Sequence, residues 1–587
     1  SFSTKYNFFL GQSPGDWASS VRAAKDLTLQ DVYPGIDLRL YSTSDGELEL
    51  DWVMDAGADF SKVKMRFEGQ DDLTIDDKGE LKVGLRFTNV KFSTPESYQV
   101  TDTGKVPVDF AYSKLNENTV TFATAAQIDA RFPLVIDPVL SWGAFVEGNL
   151  ANMDQYLFAI QLDPVDGLLY CAGATNQNFP TAAPPYDADG YLNTIAGFTV
   201  NGTPRAVVVY RMNSMGTDLV DLTMYGPGTV SADGDDDNAV AYSLSLSTTR
   251  VFIGGHTNID LPPAGTAFDG TRNAEDGFVA VFSRDLGTLV YATYIGGTGD
   301  DFPGVTSIRA LSDNSFVMGI TVDAALPAGP AAPDYITTGA DLTYGGPSDM
   351  YIARFSSLNV LDWGTYVGGA DDEVFNDLEV FPDGRVAFVG YGNGDLTEVN
   401  VAAAGSTNTN NDDGIIGVLN TTGTAFNYLD EIGGSGSSDE DQFYDVEIVG
   451  EVLYFTGSVS NNFPVTGGAY DGSYNGGSRD VVVGSVSAAG GSVGYVATYF
   501  GNGGEDIGSG IKLVSQTNCA GVLEEFLLVF GTTSGGDLPT VNINNEPFYE
   551  DQNQGGDDIF FAAFKSDLTA PLQFATHIGG SANDYLG

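Results

Sequence analysis

An all-β chain is predicted from this sequence by three observations: a phrase that recurs every 65 to 80 residues, an excess of glycine, and short runs in which apolar and polar residues alternate. Glycine supplies 74 of 587 residues, well above the usual ~7%, and so many tight turns are expected. Hydrophobic residues at 42% and aromatics at 12% give a chain of this length the apolar surface for more than one core.

Residues 1–138 come first and carry the alternation. It is seen in Leu38-Arg-Leu-Tyr41, Leu48-Glu-Leu-Asp-Trp-Val53, Val63-Lys-Met-Arg-Phe67 and Leu81-Lys-Val-Gly-Leu-Arg-Phe87, with turns at Ser44-Asp-Gly46 and Asp77-Lys-Gly79. A period of two puts one face on a core and the other in water, so this segment reads as a sandwich-like antiparallel β domain. Asp16–Ala24 is the best short helix candidate. Pro138 ends the last strand, and the repeat begins directly after it, which sets the domain boundary there.

The phrase is two or three apolar residues, a small or hydroxyl residue, an aromatic, an apolar residue, then glycine and acid. Its copies centre on Phe145, Tyr225, Tyr294, Tyr366, Glu431, Tyr499 and His577. Tyr291-Ala-Thr-Tyr-Ile-Gly-Gly297 and Trp363-Gly-Thr-Tyr-Val-Gly-Gly369 are typical. Between copies lie four β-type runs bounded by turn residues, the pattern of a propeller blade. In the unit 301–369 these are Val305–Leu311, Ser315–Gly319, Asp349–Phe355 and Leu361–Val367. The second run of every unit ends in glycine (Gly173, Gly255, Gly319, Gly390, Gly457, Gly531), and five of six third runs open on or just after Asp, Arg205 being the exception. The loop between them carries an apolar-Pro pair at Phe179-Pro180, Leu261-Pro262, Leu326-Pro327, Phe463-Pro464 and Leu538-Pro539, with Leu396-Thr397 as the departure. A fixed φ at that place pins the loop to the blade.

Six blades are therefore expected, at about 154–228, 237–297, 301–369, 373–434, 441–501 and 506–580, within a β-propeller spanning 139–587. Residues 139–148 read as the outer strand, and 583–587 as the first strand, of an incomplete seventh blade. On this count the natural protein continues past Gly587 and closes a seven-bladed ring; a six-bladed ring or an open arc is the rival.

The phrase Tyr-x-Thr-Tyr-Ile-Gly-Gly, followed by acid, by a Gly-ended strand and by Phe-Pro, resembles the bacterial SBBP repeat, a seven-bladed β-propeller repeat. The N-terminal part resembles a companion domain of unknown function, in Asn7-Phe-Phe-Leu-Gly11, Val32-Tyr-Pro-Gly-Ile-Asp-Leu38, Arg66-Phe-Glu-Gly69 and Pro133-Leu-Val-Ile-Asp-Pro138. The resemblance implies a long chain exported by Bacteroidota through the type IX pathway to the cell surface, with adhesive or gliding-associated architecture.

With 25 Lys+Arg against 79 Asp+Glu, the net charge of -54 repels nucleic acid phosphates and anionic lipid alike. The same charge is best tolerated in a saline or Ca²⁺-containing medium. Cys171 and Cys519 are the only cysteines, so there is no disulfide framework. No run of about 18 apolar residues offers a membrane span.

Chemistry is sparse. His256 and His577 are the only histidines and lie in different units, which argues against zinc. Gly490-Gly-Ser492-Val-Gly494 matches a nucleophile elbow by letters alone, since it sits in a turn between strands, not between a strand and a helix. The acids after the glycine phrase, Asp154, Asp237, Asp301, Glu373, Asp441, Asp506 and Asp584, each stand at the start of a first strand. One reading has each carboxylate accepting turn N–H groups of the neighbouring blade. The other makes them a ring at a channel mouth that collects cations. The loops holding Asp233, Asp235 and Asp236, and Asp439 and Asp441, loosely resemble Ca²⁺ chelators without EF-hand spacing, and solvated charge is the plainer account.

The expected function is accordingly a non-catalytic, extracellular module for adhesion or for building a surface appendage. Its partners would be a cell-surface glycan or protein, or other copies and subunits of the assembly, with Ca²⁺ as the only cofactor in view. A secreted hydrolase or lyase acting on polysaccharide, and a scaffold of a homo-oligomer, are the alternatives from other classes.

Overall fold

The computed structural model describes residues 5–8, 18–22, 26–42, 48–67, 70, 72–76, 79–85, 88–101, 104–137, 140–144, 155–175, 205–213, 219–226, 238–329, 333–393, 396–399, 412–434, 440–489, 495–517, 523–534, 536, 538–539, 556–568, 571–579 and 583–584. Two compact units divide the chain, with the break between Glu147 and Gly148.

The first unit is antiparallel β throughout its strands. A six-stranded sheet runs in the order Gly104–Pro107, Glu96–Thr101, Leu134–Asp137, Leu48–Met54, Ile36–Ser42, Asp26–Tyr33; a three-stranded sheet joins Ala111–Asn116, Thr119–Ala123 and Met65–Arg66; and a four-stranded sheet contains Asp72–Ile75, Leu81–Leu85 and Thr88–Phe92. Their inward residues share one core, in which Trp52, Leu81, Val83, Phe92, Tyr112, Phe122 and Ile136 are buried. The alternation seen in Leu48–Met54 and Leu81–Leu85 follows from this, because each strand has one face on that core.

Two expectations are corrected here. The proposed helix is instead strand Ala18–Arg22, paired antiparallel with Lys5–Phe8; nine residues are too few to sustain a helix alone, and a neighbouring strand supplies the missing partners. The segment 139–148 does not supply an outer strand to a seventh blade: its strand Leu140–Ala144 pairs antiparallel with Thr88–Phe92 as the edge of the four-stranded sheet. The phrase written by Trp142 fits either sheet by composition, and the free edge of Thr88–Phe92 takes it.

The second unit is propeller-like. Among the described residues it holds six four-stranded antiparallel sheets, each in simple sequence order. Their first strands are Gln155–Leu162, Ala239–Leu246, Val305–Ala310, Glu373–Val380, Gln442–Val449 and Asp506–Thr517, and these stand beside one another in succession. Each phrase with described strand residues after 148 forms a fourth strand: Leu219–Tyr225, Leu289–Ile295, Leu361–Val367, Phe426–Ile432, Val496–Phe500 and Phe574–Ile578.

Apolar layers lie between consecutive sheets. In the third strand of the second sheet, Asp276–Ser283, Phe278, Ala280 and Phe282 pack toward the first sheet, while Val279 and Val281 pack toward the third. Burial on both faces is why interior strands read as unbroken apolar runs. The corresponding strand of the sixth sheet, Asp558–Lys565, alternates buried and half-buried residues, with Phe560, Ala562 and Phe564 packed on the fifth sheet.

Every first strand carries a bulge at the same place, between Leu157/Ala159, Ala241/Ser243, Val305/Ser307, Phe375/Asp377, Phe443/Asp445 and Gly508/Gly510. A bulge leaves one residue outside the ladder and bends its strand. Its repetition makes it part of the frame.

Candidate functional site

The acids that open the first strands are joints between sheets. Asp301 Oδ2 accepts from Gly297 N at 2.7 Å and its Oδ1 from Asp323 N at 3.0 Å. Glu373 Oε2 accepts from Gly369 N at 2.8 Å. Asp441 takes Gly434 N at 2.6 Å, with Ser460 N at 2.8 Å on its other oxygen. Asp506 takes Asn502 N at 2.7 Å, and the Thr533 hydroxyl. All four are fully buried. One donor in each case is the turn that ends the preceding sheet, and for Asp301, Asp441 and Asp506 a second lies in the acid's own sheet. Their own backbone N–H groups reach back as well: Asp301 to Glu275 O, Glu373 to Ser348 O, Asp441 to Asp412 O and Asp506 to Arg479 O, within 2.7 to 3.0 Å. Asp584 N repeats this bond with Asp557 O at 2.7 Å.

A second acid completes each joint. Asp276, Asp349 and Asp480, which open third strands, accept from Asn273 N, Gly345 N and Asn475 N at 2.9, 2.9 and 2.6 Å. The glycine of the phrase is squeezed between the two acids: a Cβ on Gly296 would stand 2.5 Å from Asp301 Oδ2 and 2.6 Å from Asp276 Oδ1, and one on Gly501 would be 2.6 Å from Asp480 and 2.8 Å from Asp506. Burial, foremost, pushes Asp301 and Asp480 up to about 7, and Asp276 and Asp506 up to about 6, against the N–H bonds that favour the charged form.

The phrase also clasps the loop between second and third strands. Its hydroxyl residue takes the N–H of a loop aspartate: Asp269 N to Thr293 Oγ1 at 2.9 Å, Asp341 N to Thr365 at 2.8 Å, Asp471 N to Thr498 at 2.7 Å. Its aromatic takes the apolar-Pro pair. Leu261 N donates to Tyr294 Oη at 2.8 Å, Leu326 N to Tyr366 at 2.9 Å, and Leu538 N to His577 Nε2 at 3.3 Å, while Tyr499 Oη donates to Phe463 O at 3.3 Å. In the fourth sheet, Asp430 and Glu431 replace Thr and Tyr, the loop has Leu396-Thr397 in place of the Pro pair, and a backbone bridge between Val399 and Leu429 does the holding. A cavity of about 370 Å³, lined by Leu396, Thr397, Phe426, Leu429 and Val367 among others, lies there.

Along the first strands of the third, fourth and fifth sheets the residue after the bulge links one sheet to the next. Ser307 Oγ donates to Asp377 Oδ1 at 2.7 Å, Asp377 Oδ2 accepts from Val446 N at 3.3 Å, and Asp445 Oδ2 accepts from Ile511 N at 2.7 Å. Arg309 ties this row to Asp377 at 3.0 Å and Glu379 at 2.6 Å, and Lys512 meets Glu447 at 2.6 Å. Asp445 is half-buried, and burial and then Asp377 raise its carboxyl well above the usual range. Burial opposes the Arg309 charge, and Asp377 and Glu379 outweigh it. Sequence reading missed this row; the spacing Glu373 to Asp377 and Asp441 to Asp445 is its only trace.

His256 is buried, and burial and then Arg205 hold its pKa down to about 4, so the neutral ring meets Glu275 Oε1 at 3.1 Å. Of the remaining sequence candidates, Asp154, Asp233, Asp235, Asp236, Asp237, Asp439 and Ser492 lie outside the described residues. Among the described residues no group of three or more His, Cys, Asp or Glu converges to hold a metal ion, and no helix is long and apolar enough to cross a membrane.

Several solved structures match the chain at low identity and low TM-score. A puromycin hydrolase mutant is 10% identical at a TM-score of 0.27, over 84% of this chain and 57% of that one, so the chain spans little more than half its length. A europium-containing methanol dehydrogenase is 8% identical at 0.29, over 82% and 85%. An apocarotenoid oxygenase from Synechocystis is 8% identical at 0.26, over 75% and 96%. Likeness at this level says nothing of chemistry. No curated protein matches the chain. Residues 1–139 are similar to one sequence family, described as a Domain of unknown function (DUF7948).

Proposed function

We propose that the chain is a non-catalytic recognition module, working outside the cell in adhesion or in the assembly of a surface appendage. One observation carries this reading: the frame is constant where it holds loops, and the loops vary. Thr293, Thr365 and Thr498 grip the same loop position, while the loop leading to it changes in sequence and length, over residues 258–268, 323–340 and 460–470. A rigid frame with variable loops supports binding diversity without disturbance of the core. The charge of -54 and the repeat resemblance support an extracellular surface location, with a glycan or protein as partner. Beads coated with the protein are expected to adhere to host or algal surfaces and to lose adhesion when the loop 465–477 is replaced by a Gly/Ser segment of equal length. Beads that never adhere would remove the reading, and a mass from light scattering at a multiple of the monomer would then favour the scaffold.

A polysaccharide-active enzyme is the second reading. Its specific support is the pair Asp377 and Asp445 beside Arg309, in which burial and then Asp377 raise the Asp445 carboxyl well above the usual carboxylate range. Release of reducing ends from polysaccharide that ceases in Asp445→Asn would establish it.

A further inference from the structure

The frame repeats, but one surface feature does not. At the start of the first three sheets, aromatic rings touch in an unbroken row. Tyr156 stacks on Phe158 with centroids 5.9 Å apart, Phe158 meets Tyr242 edge-on at 4.9 Å, Tyr242 stacks on His256 at 5.5 Å, and His256 meets Phe302 edge-on at 5.1 Å. The row crosses two sheet boundaries. Phe158 and Tyr242 are the residues their strands leave out at the bulge, and the same position holds Thr306, Asn376, Tyr444 and Ser509 in the other sheets. Sheet stacking therefore does not require the rings.

Burial holds His256 in the middle of the row but does not explain its two ends. Phe302 is 54% and Tyr156 38% exposed, although full burial of such a side chain would contribute about 1.5–3 kcal/mol. Polar groups stand beside the apolar faces. Arg205 lies 4.7 Å above the Tyr156 ring and reaches its hydroxyl at 3.5 Å; Glu275 is bonded to His256 at 3.1 Å; Asp300 is exposed next to Phe302.

We infer that this row is a subsite for a neutral glycan. The aliphatic faces of hexopyranose rings carry polarised C–H groups that suit the electron-rich face of an aromatic ring. Their hydroxyls both donate and accept, which matches a rim holding the guanidinium of Arg205 and the carboxylates of Glu275 and Asp300. Anionic sugars are disfavoured by a chain of net charge -54. Arg205 lies over Tyr156, so a cationic peptide finds that position taken, and the sugar stacks on the exposed Phe302 and meets Tyr156 at its hydroxyl edge.

The inference rests on the recognition reading and names its ligand class. Isothermal titration of the whole chain with cellohexaose, laminarihexaose and mannohexaose tests it, with an alginate hexamer and an oligolysine peptide as charged arms. At least one neutral hexasaccharide is expected to bind, and Phe302→Ala and Tyr156→Ala are each expected to weaken it tenfold or more with unchanged circular dichroism and melting temperature. Neutral sugars that all fail, variants that bind like the parent, or binding confined to a charged arm would overturn it. If the hexasaccharides fail while coated beads still adhere, the subsite falls and the recognition reading stands.

Discussion

Asp301 shows what a buried carboxylate does at a joint. Each of its oxygens accepts one backbone N–H, from Gly297 of the preceding turn and from Asp323 of its own sheet. An amide in its place has only one acceptor oxygen, so one buried N–H loses its partner. Asp301→Asn is expected to cost about 1–3 kcal/mol in urea denaturation, despite being isosteric. Tyr366→Phe tests the clasp in the same way: it removes one oxygen and leaves the Leu326 N–H, now bonded at 2.9 Å, without an acceptor, at a similar cost of about 1–3 kcal/mol. A change below about 0.5 kcal/mol in either variant would mean that water takes over the bond.

At the scale of an element, the third strand of the sixth sheet makes the sharpest contrast. Phe560 is fully buried against the fifth sheet, while Phe561, its neighbour, is half-buried on the opposite face. Phe560→Ala is expected to cost about 3–5 kcal/mol and Phe561→Ala clearly less, because only the first leaves a cavity; equal losses would show that both faces are covered. The sequence Ile559-Phe-Phe-Ala-Ala-Phe564 does not separate the two faces, since a run apolar at every position is what any interior strand needs. Repeats were legible for a related reason. Four-strand periodicity, the Gly-ended second strand and the acid after the phrase are local constraints, each imposed by a backbone contact that recurs. The pairing of Leu140–Ala144 with Thr88–Phe92 was not legible, because a strand's partner depends on which free edge lies near it. Nor was the row from Ser307 to Asp377 and Asp445, which exists only once bulges bring consecutive first strands side by side. The fourth sheet was half legible: Leu396-Thr397 reads as a departure, Glu431 stands where the other copies carry an aromatic, and only the clasp explains why both fall in one unit.

For the whole second unit the joints and the net charge act together on stability. The joint acids whose buried carboxyls are pushed up to about 6 and about 7 are Asp276, Asp301, Asp480 and Asp506. Between their unfolded value near 4 and these folded values, the folded state holds protons that the unfolded chain has released. Stability therefore falls as pH rises through about 4 to 7, and is regained on acidification within that window. Repulsion within a chain of net charge -54 works in the same direction, but salt screens it over about 10 Å at 0.1 M and about 3 Å at 1 M, whereas the buried carboxyls are screened much less. Scanning calorimetry at pH 8 and pH 5 should therefore give the higher melting temperature at pH 5. Part of that difference should survive 1 M NaCl. The surviving part should shrink in the double variant Asp301→Asn/Asp480→Asn, which has two fewer titrating joints. A melting temperature that drops between pH 8 and pH 5 would mean that the N–H bonds outweigh burial at these carboxylates, and that the joints hold the sheets together in the charged form.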